Sequence, residues 1–135
     1  MNEFVIDAKV ENLDDVIGYV EEQLEECGCP MKLMIAIDVA VEEIFVNIAS
    51  YAYDGGEGSA TIRVGKKEDA SGVMIQFADS GIPYDPLAKE DPDVTLSVEE
   101  RQIGGLGIFM VKKSMDEVIY EYKDGQNVLT LIKNF

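Results

Sequence analysis

The fold class this sequence predicts is α/β: a two-layer sandwich in which helices cover one face of a mixed, mostly antiparallel sheet. Three observations predict it. Met31 to Tyr53 is a long stretch of helix-compatible residues with no glycine or proline inside it. Two pairs of segments alternate as strands do, Ser59–Lys67 with Gly72–Ala78 and Val118–Lys123 with Asn127–Lys133, each joined by a turn signal. The order of elements is strand, helix, helix, strand, strand, loop, helix, strand, strand, which sets paired strands beside helices. At 135 residues and 47% hydrophobic content, the chain has enough material for one core.

Taken in order, Phe4–Ala8 alternates weakly and suits an edge strand. Leu13–Cys27 reads as an acidic amphipathic helix, since Leu13, Val16, Ile17, Val20 and Leu24 recur at helical spacing. Asn12 is placed to cap it and Gly28 to stop it. Pro30 then stands where a proline starts a helix. Along Met31–Tyr53, Met34, Ile37, Val41, Ile44 and Ile48 form one apolar stripe, and Ile35, Val39 and Val46 form a second. A helix apolar on two sides is expected to be largely buried. Asp38 and Glu42 read as solvated surface. Glu43, Asn47 and Ser50 make a separate polar row beside the small residues Ala36 and Ala40.

Asp54-Gly55-Gly56 ends this helix. KKEDASG is a hairpin loop between the next two strands. ADSGIPYDP, residues 78–86, turns out of the second of them. Residues 84–103 show no clean period and carry Pro86, Pro92 and several acids, the pattern of a functional lid or a disordered loop. Glycines then open GGLGIFMVKKSMDEV, residues 104–118, a helix whose Leu106, Phe109, Met110 and Val111 are expected to pack. Asp124-Gly125 joins the last two strands.

Charge and composition exclude several classes. A net charge of −16 repels nucleic acid and anionic membranes. It also repels free nucleotide, so a nucleotide site needs local compensation. The absence of histidine removes histidine triads, histidine metal ligands and phosphohistidine chemistry from this chain. Cys27 and Cys29 are too few for a structural zinc site. No apolar run reaches membrane-spanning length, and the acidic start MNEFVIDAKVENLDD is unlike a signal peptide, so cytoplasmic residence is expected.

Four places carry possible chemistry. Glu43 and Asn47, one helical turn apart, can act together on a metal-bound phosphate, or are a solvated polar strip. Asn47 offers magnesium one carbonyl oxygen, and Glu43 can orient or deprotonate a nucleophile. Asp79, at a strand end, can accept a hydrogen bond from an adenine amino group, and Gly81 permits close approach of the base; Asp-Ser-Gly is equally an ordinary turn. Thr130 carries a hydroxyl that can complete the base contacts, or is simply a strand residue. Gly104, Gly105 and Gly107 open a helix whose backbone N–H groups and dipole suit phosphate. Arg101, just before them, can reach a terminal phosphate or pair with Glu99 or Glu100.

In this order, Glu43-x-x-x-Asn47, Asp79-x-Gly81 and Gly104-Gly105-x-Gly107 resemble the sequence boxes of the GHKL (Bergerat-fold) ATPases. EEIFVNIASYAY, DSGIPYDPL, ERQIGGLGIFMVKKSMDEV and GQNVLTL resemble the stand-alone branch, the anti-sigma-factor serine-protein kinases, and the resemblance spans essentially the whole chain. It implies one ATP-binding kinase domain over residues 1–135 with a nucleotide lid at about 84–103. It also implies that Asp79 contacts adenine with support from Gly81 and Thr130, that Asn47 ligates Mg²⁺, and that Glu43 is the catalytic base. Gly104, Gly105, Leu106, Gly107 and Arg101 would hold phosphates. The implied substrate is a serine on a STAS-domain antagonist, in a partner switch. A bound sigma factor and a homodimer are further implied partners. Two departures bear on pocket shape: Ser50-Tyr51 stands where the family often has a histidine, and Pro83 replaces a second glycine. The alternative from another class is a catalytically weak, nucleotide-gated module that sequesters a sigma factor or other regulator. Plain ATP hydrolysis fits less well, because the larger relatives that do it carry coupling domains.

Overall fold

The computed structural model describes residues 2–53, 56–69, 71–88 and 105–135. The chain runs β1 (Asn2–Asp7), a 3₁₀ turn (Val10–Asn12), α1 (Leu13–Glu26) and α2 (Met31–Asn47). A π-helical turn (Ile48–Ala52) extends α2. Then come β2 (Ser59–Lys66), β3 (Gly72–Asp79), a 3₁₀ turn (Pro86–Ala88), α3 (Gly105–Ser114), β4 (Glu117–Lys123) and β5 (Gln126–Asn134). The five strands form one sheet in the order β1-β2-β3-β5-β4. All four pairings are antiparallel, so the sheet stands at the antiparallel end of what the sequence predicts. The turn at Asp54-Gly55 and most of the expected lid, residues 89–103, lie outside the described residues.

Local chemistry explains the helix boundaries. The end of α1 is a Schellman motif: Cys29 N–H donates to Leu24 O and Gly28 N–H to Glu25 O, both at 3.0 Å. Gly28 sits at φ 76°, a conformation that glycine adopts without a Cβ penalty. Cys27 and Cys29 are free thiols at this corner. Pro30 is the residue just before the first turn of α2, one position earlier than expected. Asn12 precedes α1 but does not cap it with its side chain; its amide donates instead to Asp7 O at 3.0 Å.

The strand alternation sorts side chains between two faces. Ala60, Ile62 and Val64 of β2, Val73, Ile75 and Phe77 of β3, and Leu129 and Leu131 of β5 are buried under the helices. Val16, Val20 and Leu24 of α1 and Met34, Ile37, Val41, Ile44 and Phe45 of α2 meet them, with Val111 and Met115 from the α3 end. The opposite face carries a polar ladder across four strands. Glu3 pairs with Arg63 at 2.8 Å, Arg63 Nη1 donates to Gln76 Oε1 at 2.9 Å, and Gln76 Nε2 donates to Thr130 Oγ1 at 3.2 Å.

Three expectations need correction. The second stripe of α2 is not in the core: Ile35 is 73% and Val39 50% exposed, because only one side of α2 meets the sheet. Met110 is likewise turned outward, whereas Val111 packs. Asp38 is not solvated surface. Its Oδ1 is buried with no hydrogen-bond partner among the described residues, and burial followed by the neighbouring Glu21 carboxyl pushes its pKa up to about 7.

Candidate functional site

A cavity of about 170 Å³ opens where the C-terminal end of α2 meets the end of β3. That is about tenfold the space one water requires. Ile44, Ile48, Phe77, Ile108 and Leu129 make its walls, Asn47, Asp79 and Asn127 supply its polar groups, and Tyr51, Pro83 and Tyr84 also border it. Apolar walls with a few convergent polar groups are the usual make-up of a small-molecule site.

Asn47 is the last residue of α2 and lines the cavity. Immediately after it the helix widens into the π-helical turn, a departure frequent at functional sites. Ala52 O, at the end of that turn, accepts the Ile82 N–H at 2.7 Å. This bond docks the turn after β3 onto the end of α2. Gly81 is the residue that permits it, since a Cβ there would stand 2.2 Å from Ala52 O and 2.6 Å from its carbonyl carbon. The close approach at Gly81 is therefore between two parts of this backbone. Tyr53 adds a second tie: its hydroxyl donates to Ser59 O and accepts the Ser80 N–H at 3.0 Å.

Asp79 closes β3 and is 6% exposed. Its Oδ1 accepts the Gly81 N–H at 2.9 Å and the Asn127 Nδ2–H at 3.0 Å. Asn127 faces Asp79 across the β3–β5 ladder. It also donates to Ile82 O at 2.9 Å and, through Oδ1, accepts the Tyr84 N–H at 3.0 Å and the Tyr120 hydroxyl. Both donors and both lone pairs of this amide are thus in use. The Tyr120 hydroxyl is protonated near neutral pH, and burial raises its pKa further.

Of the residues expected at the site, Asn47 and Asp79 line one cavity and Gly81 fixes the turn beside it. Gly105 is the first residue of α3, with Leu106 and Gly107 in its first turn, and Ile108 carries that turn to the cavity wall. Glu43 is half-buried, one turn before Asn47, and is not part of the cavity wall. Arg101 and Gly104 lie outside the described residues. Thr130 does not join the group: its hydroxyl belongs to the ladder on the other face of the sheet. Asn127 and Tyr120 are the site residues that sequence reasoning missed. The signal was the strand parity, since Asn127 alternates in phase with the buried Leu129 and Leu131, and Thr130 out of phase.

Comparison with known proteins places the chain in a family. Residues 6–133 match the family model described as the histidine kinase-like ATPase domain. The chain belongs to this family. Among its relatives, the serine/threonine-protein kinase BtrW of Bordetella bronchiseptica is 31% identical over 103 residues, covering 74% of this chain and 70% of BtrW. The serine-protein kinase RsbW of Bacillus cereus (strain ATCC 10987) is 32% identical over 95 residues, covering 67% of this chain and 58% of RsbW. The serine-protein kinase RsbW of Bacillus pumilus is 29% identical over 119 residues, covering 83% of this chain and 66% of that protein. The chain thus spans less than two thirds of the length of the two RsbW proteins. Among the described residues no group of three or more Cys, Asp or Glu is placed to hold a metal ion, and no helix is long and apolar enough to cross a membrane.

Proposed function

We propose that this histidine kinase-like ATPase domain is an ATP- and Mg²⁺-dependent protein kinase that phosphorylates a serine on a STAS-domain antagonist in a cytoplasmic partner switch. The observation that carries the reading is Asp79: a carboxylate held by Asn127 and Gly81 at the end of β3, in a cavity with apolar walls that Asn47 also lines. The relatives named serine-protein kinases support the reaction class.

The apolar walls suit a flat base, and both Asp79 bonds fall on Oδ1, so Oδ2 is assigned the adenine amino group. Gly105 and Gly107 supply backbone N–H groups at the start of α3, where the helix dipole favours phosphate. Arg101 and Gly104 precede that helix in sequence and are assigned to the same phosphates. The donor set fits a magnesium ion bound mainly by phosphate and water: the protein offers one carboxamide oxygen, from Asn47, rather than a cage of carboxylates. When bound, the ion neutralises charge on the phosphates. Glu43, one turn from Asn47, is assigned the proton of the serine hydroxyl. The serine Oγ–phosphorus bond forms, the bond from the γ-phosphorus to the bridging oxygen breaks, ADP leaves, and the proton passes to the Glu43 carboxylate. A sigma factor is the proposed second partner, released or held according to the antagonist's phosphorylation.

The test is intact-mass spectrometry of STAS-domain proteins mixed with this chain and Mg-ATP, with Glu43→Gln alongside. The expected result is one phosphate added to one STAS protein, absent with the variant. ATP binding with no transfer to any of them would leave the nucleotide-gated sequestering module as the function.

A further inference from the structure

The outward side of α2 carries an apolar ridge that no part of the described structure covers. Met31, Ile35 and Val39 are 78%, 73% and 50% exposed. Spaced four residues apart, they follow one another along the helix over about 12 Å. An isolated exposed leucine or valine is ordinary; a contiguous row of three apolar side chains, each at least half exposed, marks a contact surface.

The surroundings of the ridge are acidic. Glu42 stands three residues beyond Val39, on the adjoining flank, and is exposed. The neighbouring α1 carries Asp14, Asp15, Glu21, Glu22, Glu25 and Glu26 and no base. On the ridge's other flank Lys32 is the one base of α2. The whole chain holds 27 acids against 11 bases.

We propose that this ridge is the docking site for an amphipathic helix of a partner protein, one whose apolar face is bordered by lysine and arginine. A helix laid along α2 buries the ridge by the spacing it shares with it, and the acidic flank attracts the basic border. Charge decides against the other occupants. A second copy of the chain brings acids against acids. The segment 89–104 of this chain carries five acids and two bases and is repelled in the same way. An anionic bilayer is repelled as well. The same four-residue spacing continues from Val39 to Glu43 and Asn47, so a partner seated on the ridge lies one turn from the site end of α2. The proposal stands without the nucleotide reading, and its test is run without nucleotide.

The test uses a labelled synthetic peptide of about 18 residues, long enough to hold a helix. It has leucines at i, i+3, i+4 and i+7 spacing and lysines on the flanks; a control has the same leucines with glutamate for lysine. Fluorescence anisotropy is read against the full chain and against Ile35→Gln/Val39→Gln, whose fold is checked by circular dichroism. The lysine peptide is expected to bind the native chain, with affinity about tenfold or more weaker for the variant, and the glutamate peptide not to bind. Equal affinity of the native chain and the variant for the lysine peptide, equal binding of both peptides, or binding of neither overturns the proposal. So does self-association in sedimentation that the variant abolishes, which makes a second copy the occupant. So does flotation with phosphatidylcholine vesicles that the variant abolishes, which makes lipid the occupant.

Discussion

Asn127 Nδ2 stands 3.0 Å from Asp79 Oδ1, and the two residues are directly opposite one another in the β3–β5 ladder. The pairing register therefore aims the carboxylate, and the same amide holds Ile82 O and the Tyr84 N–H on the turn beside it. Replacing Asn127 by leucine keeps the branched shape, leaves Asp79 Oδ1 with the Gly81 N–H alone, and removes the partner of Ile82 O, the Tyr84 N–H and the Tyr120 hydroxyl. Asn127→Leu is expected to cost roughly 2–4 kcal/mol of stability, read by urea denaturation. Its affinity for a fluorescent ATP analogue, where folded, is expected to fall about tenfold or more because Asp79 is no longer held in place. Native-like analogue binding in a fully folded variant would show that Asp79 does not need this support.

Gly81 offers a separate test of how the turn is held. A methyl group there meets Ala52 O at 2.2 Å, Ala52 C at 2.6 Å and Ala52 Cβ at 2.7 Å, two of them backbone atoms that cannot rotate away. Gly81→Ala is expected to push the turn off the end of α2, break the Ile82 N–H to Ala52 O bond, and cost about 1–3 kcal/mol. Amide exchange at Ile82 is the sharp readout, since general destabilisation would not single it out.

The Asp38 carboxyl predicts a pH dependence. Burial, then the hydrogen bond and charge of Glu21, raise its pKa from 3.8 to about 7. Between those values the folded protein keeps a proton that the unfolded chain has released. The native state binds more protons there, so stability falls as pH rises from about 4 to about 7 and levels off above it. Asp38→Asn, whose amide can donate to Glu21 at any pH, is expected to flatten this slope and to be the more stable protein above about pH 7. Urea midpoints for both proteins on either side of the window measure it. Parallel slopes in the two proteins would remove Asp38 as the cause.

Most of the fold is local in origin, and so it was legible. The Gly28 stop, the uninterrupted α2 and the alternation of the four later strands each rest on residues within a turn or two of one another. Asn47 and Asp79 were legible as chemistry because one stands a helical turn from Glu43 beside small residues and the other ends a strand. What escaped depends on partners distant in sequence. Helical period shows that Ile35 and Val39 share a side of α2, but not that the sheet lies on another side. The burial of Asp38 comes from α1 packing beside it, with Glu21 brought close. Asn127 acquires its role from Asp79, 48 residues earlier, and a sequence window around either residue holds no trace of the other.

Thr130 gives the clearest contrast between a residue chosen for its hydroxyl and one chosen by the sheet. It lies on the face away from the cavity and ends the ladder that runs Glu3, Arg63, Gln76, Thr130. In Thr130→Val the Gln76 Nε2–H loses its acceptor but remains partly exposed, so water can replace it in part. The expected cost is about 0.5–1.5 kcal/mol of stability, with affinity for the ATP analogue unchanged. Coupling to Gln76 supplies the control: Gln76→Leu with Thr130→Val should cost less than the sum of the two single changes, because the pair is removed together. If Thr130→Val instead weakened analogue binding as much as Asn127→Leu, the hydroxyl would act on the nucleotide through the sheet, and the division of labour between its two faces would have to be redrawn.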